Sequence, residues 1–215
     1  MAKVAVILSG CGYLDGAEIH ESVLSLLVLE QKGHTYQCFA PDIVQKKVIN
    51  HLTQEEVLGQ KRNVLEESAR IARGRVLPLA DLKADSFDAV MFPGGFGAAL
   101  NLSDFAELQE SCSLHPDVKV LLHQFHEEKK PILATCISPA LLARAFSGKQ
   151  ELKMTLGSDP SSCELLKRMG MKAERKKIDE ACFDEANRIY TTPCYMEPDD
   201  LTGLYKGICL IVDKL

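Results

Sequence analysis

Six short apolar runs, at residues 4–8, 35–39, 76–79, 89–92, 132–135 and 152–156, alternate along this chain with helix-length amphipathic segments. Most of these runs are apolar throughout rather than alternating apolar and polar, so the strands they form must be covered on both faces. A parallel sheet with helices on either side meets that requirement. The helices are expected at 18–32 (closed by Gly33), 62–73 (closed by Gly74), 117–130 and 161–169 (followed by Gly170). Glycine after the last periodic residue is where a helix commonly turns out of its path. Residues 182–184 and 189–192 predict a strand pair across a Glu-Ala-Asn-Arg turn, and 199–215 a closing helix. The expected architecture is an α/β sandwich with a mostly parallel central sheet, and residues 1–215 are expected to form one domain.

Composition narrows the function classes. A formal charge of −5 leaves no basic footprint, so no nucleic-acid partner is expected. No apolar stretch approaches membrane-spanning length, so no membrane partner is expected either. The eight cysteines are scattered, without a C-x-x-C pair or tight zinc spacing, and favour free thiols in a reducing compartment. The opening residues read as a strand rather than a targeting segment. The cytoplasm is therefore the expected location, with an organelle matrix as the alternative if a transit peptide has been removed.

The sequence Ala134-Thr135-Cys136-Ile137-Ser138 follows one apolar run and precedes a helix-like stretch that opens with Pro139. A side chain at the tip of a tight strand-to-helix turn needs small neighbours two residues away on each side, and Ala134 and Ser138 supply them. Cys136 then sits at a helix N-terminus, where the dipole favours thiolate over thiol. An inert buried cysteine at a strand end is the plain alternative. After residues 89–92 comes Pro93-Gly94-Gly95. Glycines there let backbone N–H groups face a ligand, and with the N–H of Ile137 they predict an oxyanion hole, Gly95 foremost and Gly94 in support. A simple tight turn is the alternative. Gly95-Phe96-Gly97 lacks the third glycine and acidic partner of a dinucleotide fingerprint, so no cofactor is expected.

Three segments in this order carry a family resemblance. They are Val6-Ile7-Leu8 with Gly16-Ala17-Glu18-Ile19-His20-Glu21, then Phe92-Pro93-Gly94-Gly95 running on to Asn101-Leu102-Ser103, then Ala134 to Pro139. Together they resemble the ThiJ/PfpI branch of the class I glutamine amidotransferase-like superfamily. Ile7-Leu8-Ser9-Gly10-Cys11-Gly12, Val48 to Thr53, Arg62 to Leu65, Gly94 to Ala99 and Thr191-Thr192-Pro193 resemble one subfamily of it, the ElbB (enhancing lycopene biosynthesis) proteins. The resemblance implies a flavodoxin-like sandwich, commonly a homodimer, with Cys136 as nucleophile and Glu21 as the carboxyl beside it. Taken alone, Glu21 would be an ordinary acidic residue in a first helical turn.

All six histidines precede Cys136. A class I glutaminase uses a histidine after its cysteine, as do many ThiJ/PfpI proteins; the corresponding stretch here, Thr155-Leu156-Gly157-Ser158-Asp159, has none. A glutaminase triad is therefore excluded, and the usual Cys-His protease dyad is disfavoured. Glu21 is left as proton carrier, with His20 as an auxiliary that adjacent-residue geometry turns about 100° away. His123 and His126 have metal-like spacing. His123, however, lies opposite the apolar face of Val118, Leu121, Leu122 and Phe125, so both are expected in solvent and no metal is assigned. Cys11 is a possible resolving thiol or a loop residue, and the remaining cysteines are expected to be packing residues. The ElbB resemblance implies a cofactor-independent glyoxalase- or deglycase-type enzyme acting on small dicarbonyl partners such as glyoxal. The alternative is a non-catalytic redox-sensing or partner-binding protein that uses an oxidisable Cys136.

Overall fold

The structure is a computed structural model that describes residues 1–198 and 200–215. The chain runs β1 (Lys3–Ile7), α1 (Ile19–Gln31), β2 (Thr35–Ala40), a two-residue pair β3 (Ile49–Asn50) and β4 (Glu55–Glu56), then α2 (Val64–Ile71) and β5 (Val76–Pro78). It continues through β6 (Ala89–Phe92), α3 (Phe96–Leu100), α4 (Phe105–Leu108), α5 (Pro116–Glu127), β7 (Ile132–Thr135) and α6 (Pro139–Phe146). The last elements are β8 (Lys153–Met154), α7 (Pro160–Arg168), β9 (Lys172–Ala173), β10 (Cys182–Asp184), β11 (Ile189–Thr192) and α8 (Leu201–Val212).

Seven strands form one sheet in the order β10-β11-β7-β6-β1-β2-β5. Only β10 runs antiparallel, paired with β11 at the edge. The continuous apolar runs have the expected cause. In β1, Val4 and Val6 face α1 and α8 with Val28, Leu29, Leu204 and Ile208, while Ala5 and Ile7 face the opposite layer. In β6 and β7, Val90, Phe92 and Ile132 join Leu122, Phe125 and Leu141 on that opposite side, and Met91 and Leu133 the first. Both faces are buried, as parallel strands require.

Local chemistry sets the helix ends. Glu18, expected inside α1, is its cap, and its carboxylate accepts from the N–H of Glu21. Asn63 caps α2 in the same way. Asp200 caps α8, so that helix starts later than expected; Asp199, the expected first residue, lies outside the described residues. The run at 152–156 forms only the short β8, which pairs with β9 outside the main sheet. The histidines of α5 are not in solvent as expected: His123 and His126 lie half-buried with their rings 5.2 and 4.7 Å from that of Phe146. The groove between α5 and α6 draws them in because an imidazole packs edge-on against a phenyl ring.

The chain starts at β1, builds outward to β2 and β5, then returns to the other side of β1 with β6. The strand order thus reverses between β1 and β6, and ligands in such sheets bind beyond the carboxyl ends of strands at that point. Phe125 is fully buried between α5 and the sheet. Phe125→Ala should lower unfolding free energy by about 3–5 kcal/mol in urea denaturation; a loss within experimental error would show that this layer does not carry the core.

Candidate active site

Three strand ends and a helix start converge. Glu21 stands in the first turn of α1, Gly94 and Gly95 follow β6, Cys136 follows β7 and Cys194 follows β11. Cys136 has φ +57, the left-handed conformation that a nucleophile elbow demands and a non-glycine residue rarely adopts. Its N–H donates to Thr192 O at 3.0 Å, and the Ser138 hydroxyl donates to Pro93 O at 2.8 Å, so both flanks of the turn are tied down. The small residue at 138 is what lets the chain double back. Cys136 is 8% exposed and lines a cavity.

Gly94 is required sterically. A Cβ there would sit 2.3 Å from the Cys136 Cβ and 2.8 Å from Glu21 Oε2. Its N–H is not free for a substrate oxyanion, because it donates to Glu21 Oε2 at 2.9 Å and to Thr135 Oγ1 at 3.0 Å. The N–H groups of Gly95 and Ile137 instead point at the Cys136 sulfur. Gly95 has φ +98 and packs against the backbone of residues 16–18, which fixes its N–H in place.

Glu21 is 0% exposed. The Thr135 hydroxyl donates to its Oε2 at 2.5 Å, and the Tyr195 N–H reaches Oε1 at 3.5 Å. Burial is the largest influence on its acidity and raises its pKa from 4.5 to about 7, against the Thr135 hydrogen bond and with help from the charge of Glu18. Sequence reasoning expected the dipole of the following helix to lower the thiol pKa of Cys136. The structure reverses this: burial, and then the charge of Glu21, push it well above the ordinary thiol value, while the Gly95 and Ile137 N–H groups pull the other way. The physical reason is solvation: the cost of burying a thiolate outweighs the pull of the N–H groups at the turn. Cys136 and Glu21 are hydrogen-bonded to each other. A thiolate at Cys136 therefore forms cheaply only when Glu21 carries the proton.

Cys194, expected to be a packing residue, belongs to this cluster. It is fully buried with φ +47, hydrogen-bonded to Thr135, and burial and the charges of Glu21 and Cys136 raise its thiol pKa. No local sequence signal marks it: its place follows from the parallel pairing that sets Thr192 beside Thr135. Cys11 instead feels Glu67, Arg70, Asp15 and Arg62. His20 lies on the exposed side of α1, with Nδ1 2.8 Å from Tyr195 Oη. Glu197, also unforeseen, holds the Gly157–Ser158 loop through the Ser158 backbone and hydroxyl. Among the described residues no group of three or more His, Cys, Asp or Glu is placed to hold a metal.

A carboxyl with a raised folded-state pKa contributes stability that is fully present below its unfolded value, near 4.5, and is lost as pH rises through about 7. Across that window the melting temperature of the wild type should fall more steeply than that of Glu21→Gln; equal slopes would show that Glu21 titrates normally.

No family model matches the chain. It is 41% identical to the human glutamine amidotransferase-like class 1 domain-containing protein 3, mitochondrial, over a 223-residue alignment that spans all of this chain and 82% of the human protein. The rat ES1 protein homolog, mitochondrial, is likewise 41% identical and is spanned over 83% of its length. Among solved structures, an isoprenoid biosynthesis protein with an amidotransferase-like domain from Ehrlichia chaffeensis superposes with a TM-score of 0.92 at 37% identity, covering 100% of this chain and 99% of that one. Drosophila melanogaster DJ-1beta shares the fold, with a TM-score of 0.60 at 21% identity over 99% of this chain and 89% of its own.

Proposed function

Because this chain belongs to the family of glutamine amidotransferase-like class 1 domain proteins, we propose that it is a cofactor-independent, glyoxalase-type cysteine enzyme acting on small dicarbonyls. The observation that carries this reading is the pairing of Cys136, at a left-handed elbow, with a buried Glu21 whose pKa is raised to about 7. A group that titrates near the working pH can both accept and return a proton. The resemblance to ElbB proteins at residues 7–12 and 94–99 supports glyoxal as a substrate.

In the reaction, the Cys136 thiol proton passes to Glu21 and the sulfur adds to one aldehyde carbon. The oxyanion that develops lies toward the Gly95 and Ile137 N–H groups. It takes up the proton that Glu21 received from the thiol and becomes the hemithioacetal hydroxyl. Glu21, ionised again, removes the C–H proton of the hemithioacetal, giving an enediolate, and returns it to the neighbouring carbon, while the hydroxyl proton of the first carbon passes to the oxygen of the second. The first carbon is thereby oxidised to a thioester as the second is reduced to an alcohol. Water then cleaves the carbon–sulfur bond and releases glycolate and the free thiol, so one glyoxal and one water give one glycolate and one proton. No downstream histidine is needed, because one carboxyl serves each transfer. Removal of early glycation adducts from proteins uses the same site chemistry.

The human and rat relatives are mitochondrial by name, which supports an organelle matrix over the cytoplasm as the compartment. The assembly we propose is a homodimer. Ile19, Val23 and Leu27 form an exposed apolar stripe at helical spacing along α1, on the side away from the buried Ser22, Ser25 and Leu29. Such a stripe fits a twofold contact with a second copy.

Proton NMR of glyoxal incubated with the protein should show glycolate for the wild type and none for Cys136→Ser. Glu21→Gln should keep alkylation of Cys136 while losing turnover by about two to four orders of magnitude. Near-wild-type turnover in Glu21→Gln would assign the proton to another carrier. Absence of glycolate together with selective peroxide oxidation of Cys136 would favour the redox-sensing alternative. Sedimentation equilibrium should find a dimer at micromolar concentration that Val23→Lys converts to monomer; a wild-type monomer would refute the interface.

A further inference from the structure

The cavity over Cys136 is far larger and more apolar than glyoxal requires. Its volume is about 470 Å³, and Phe96, Ala99, Phe105, Ile137, Leu165 and Met196 line it. Pockets of several hundred Å³ with mainly apolar walls bind ligands many times the size of a four-heavy-atom dialdehyde. Phe96 lines this space and is 52% exposed although the next three residues of α3 are buried. A phenyl ring left in water beside a nucleophile is unfavourable unless something apolar covers it.

The charges of the cavity point the same way. Arg168 is the only cation among the described lining residues, and its Nε is 3.2 Å from Glu110 Oε1, so it is already paired. Glu18, the buried cap of α1, is the one carboxyl among the described lining residues. An anionic tail would meet that carboxyl and, among the described lining residues, no unpaired guanidinium.

We infer that the site takes 2-oxoaldehydes whose second carbonyl bears a neutral apolar tail, on the order of half a dozen carbons long, lying along Phe96, Phe105 and Leu165. This rests on the reading of Cys136 as an aldehyde acceptor. The bond changes are the same as for glyoxal. Sulfur joins the terminal aldehyde carbon, its C–H proton moves by way of Glu21 to the keto carbon, and water releases a 2-hydroxy acid.

The test separates the pocket from the reaction. Second-order rate constants for alkylation of Cys136 by N-methyl-, N-butyl- and N-hexylmaleimide, taken relative to glutathione and read by peptide mapping, report binding beside the sulfur without turnover. In parallel, kcat/KM is measured for methylglyoxal and hexylglyoxal. The relative alkylation rate should rise up to roughly fourfold per methylene. The rise should flatten in Leu165→Glu, with its melting temperature checked to show that it is folded, and 6-maleimidohexanoate should lose most of the gain. Chain-length-independent alkylation, or equal rates for N-hexylmaleimide and 6-maleimidohexanoate, overturns the inference whatever the turnover. A rising series with no turnover of either 2-oxoaldehyde overturns the reaction proposed above and leaves the apolar selectivity of the cavity standing.

Discussion

The left-handed backbone at Cys136 is the constraint on which the site depends. Holding a non-glycine residue there costs on the order of 1–3 kcal/mol. The surroundings hold it by restraining both sides of the turn: Thr192 O takes the Cys136 N–H, and Pro93 O takes the Ser138 hydroxyl. The same geometry brings the Cys136 side chain against the β6 loop so closely that position 94 has no room for a Cβ. Gly94 then turns its N–H to Glu21, and Gly95 turns its own to the sulfur. One strained residue thereby fixes the oxyanion donors, the proton carrier and the floor of the cavity.

Electrostatics follow from that packing. Glu21, Cys136 and Cys194 are three largely buried ionisable groups; burial raises the pKa of each, the charge of Glu21 raises both thiols further, and that of Cys136 raises Cys194. Such a cluster accommodates one negative charge far more readily than two. Thr135 sits between them, donating to Glu21 while Gly94 and Cys194 lie against its oxygen, so its hydroxyl sets which carboxylate oxygen stays unprotonated. The raised thiol pKa does not make Cys136 inert. It makes ionisation conditional on a proton moving to its neighbour, which couples nucleophile formation to the availability of the acid.

Sequence reading found the sheet because burial on both faces leaves continuous apolar runs, and it found the elbow because small residues at 134 and 138 are a steric requirement. Glu21 was reached only through family resemblance; an acid in a first turn has no distinctive local signal. Cys194, Thr135 and Glu197 were missed because their roles come from strand register and loop closure between distant segments, which no local pattern encodes. The short α3 and α4 were missed because their hydrophobic period is too brief to register. The direction of the thiol shift was misjudged because the helix dipole can be read from sequence and the burial of a single turn residue cannot.

The claim that a buried Glu21 holds a proton near neutral pH can be examined directly by infrared spectroscopy. The carboxylic-acid carbonyl band that Glu21→Gln removes should be present in mildly acidic solution and disappear with a midpoint near pH 7. A band that is already lost near the ordinary glutamate value of 4.5, or that Glu21→Gln leaves unchanged, would contradict the account of how Cys136 is activated.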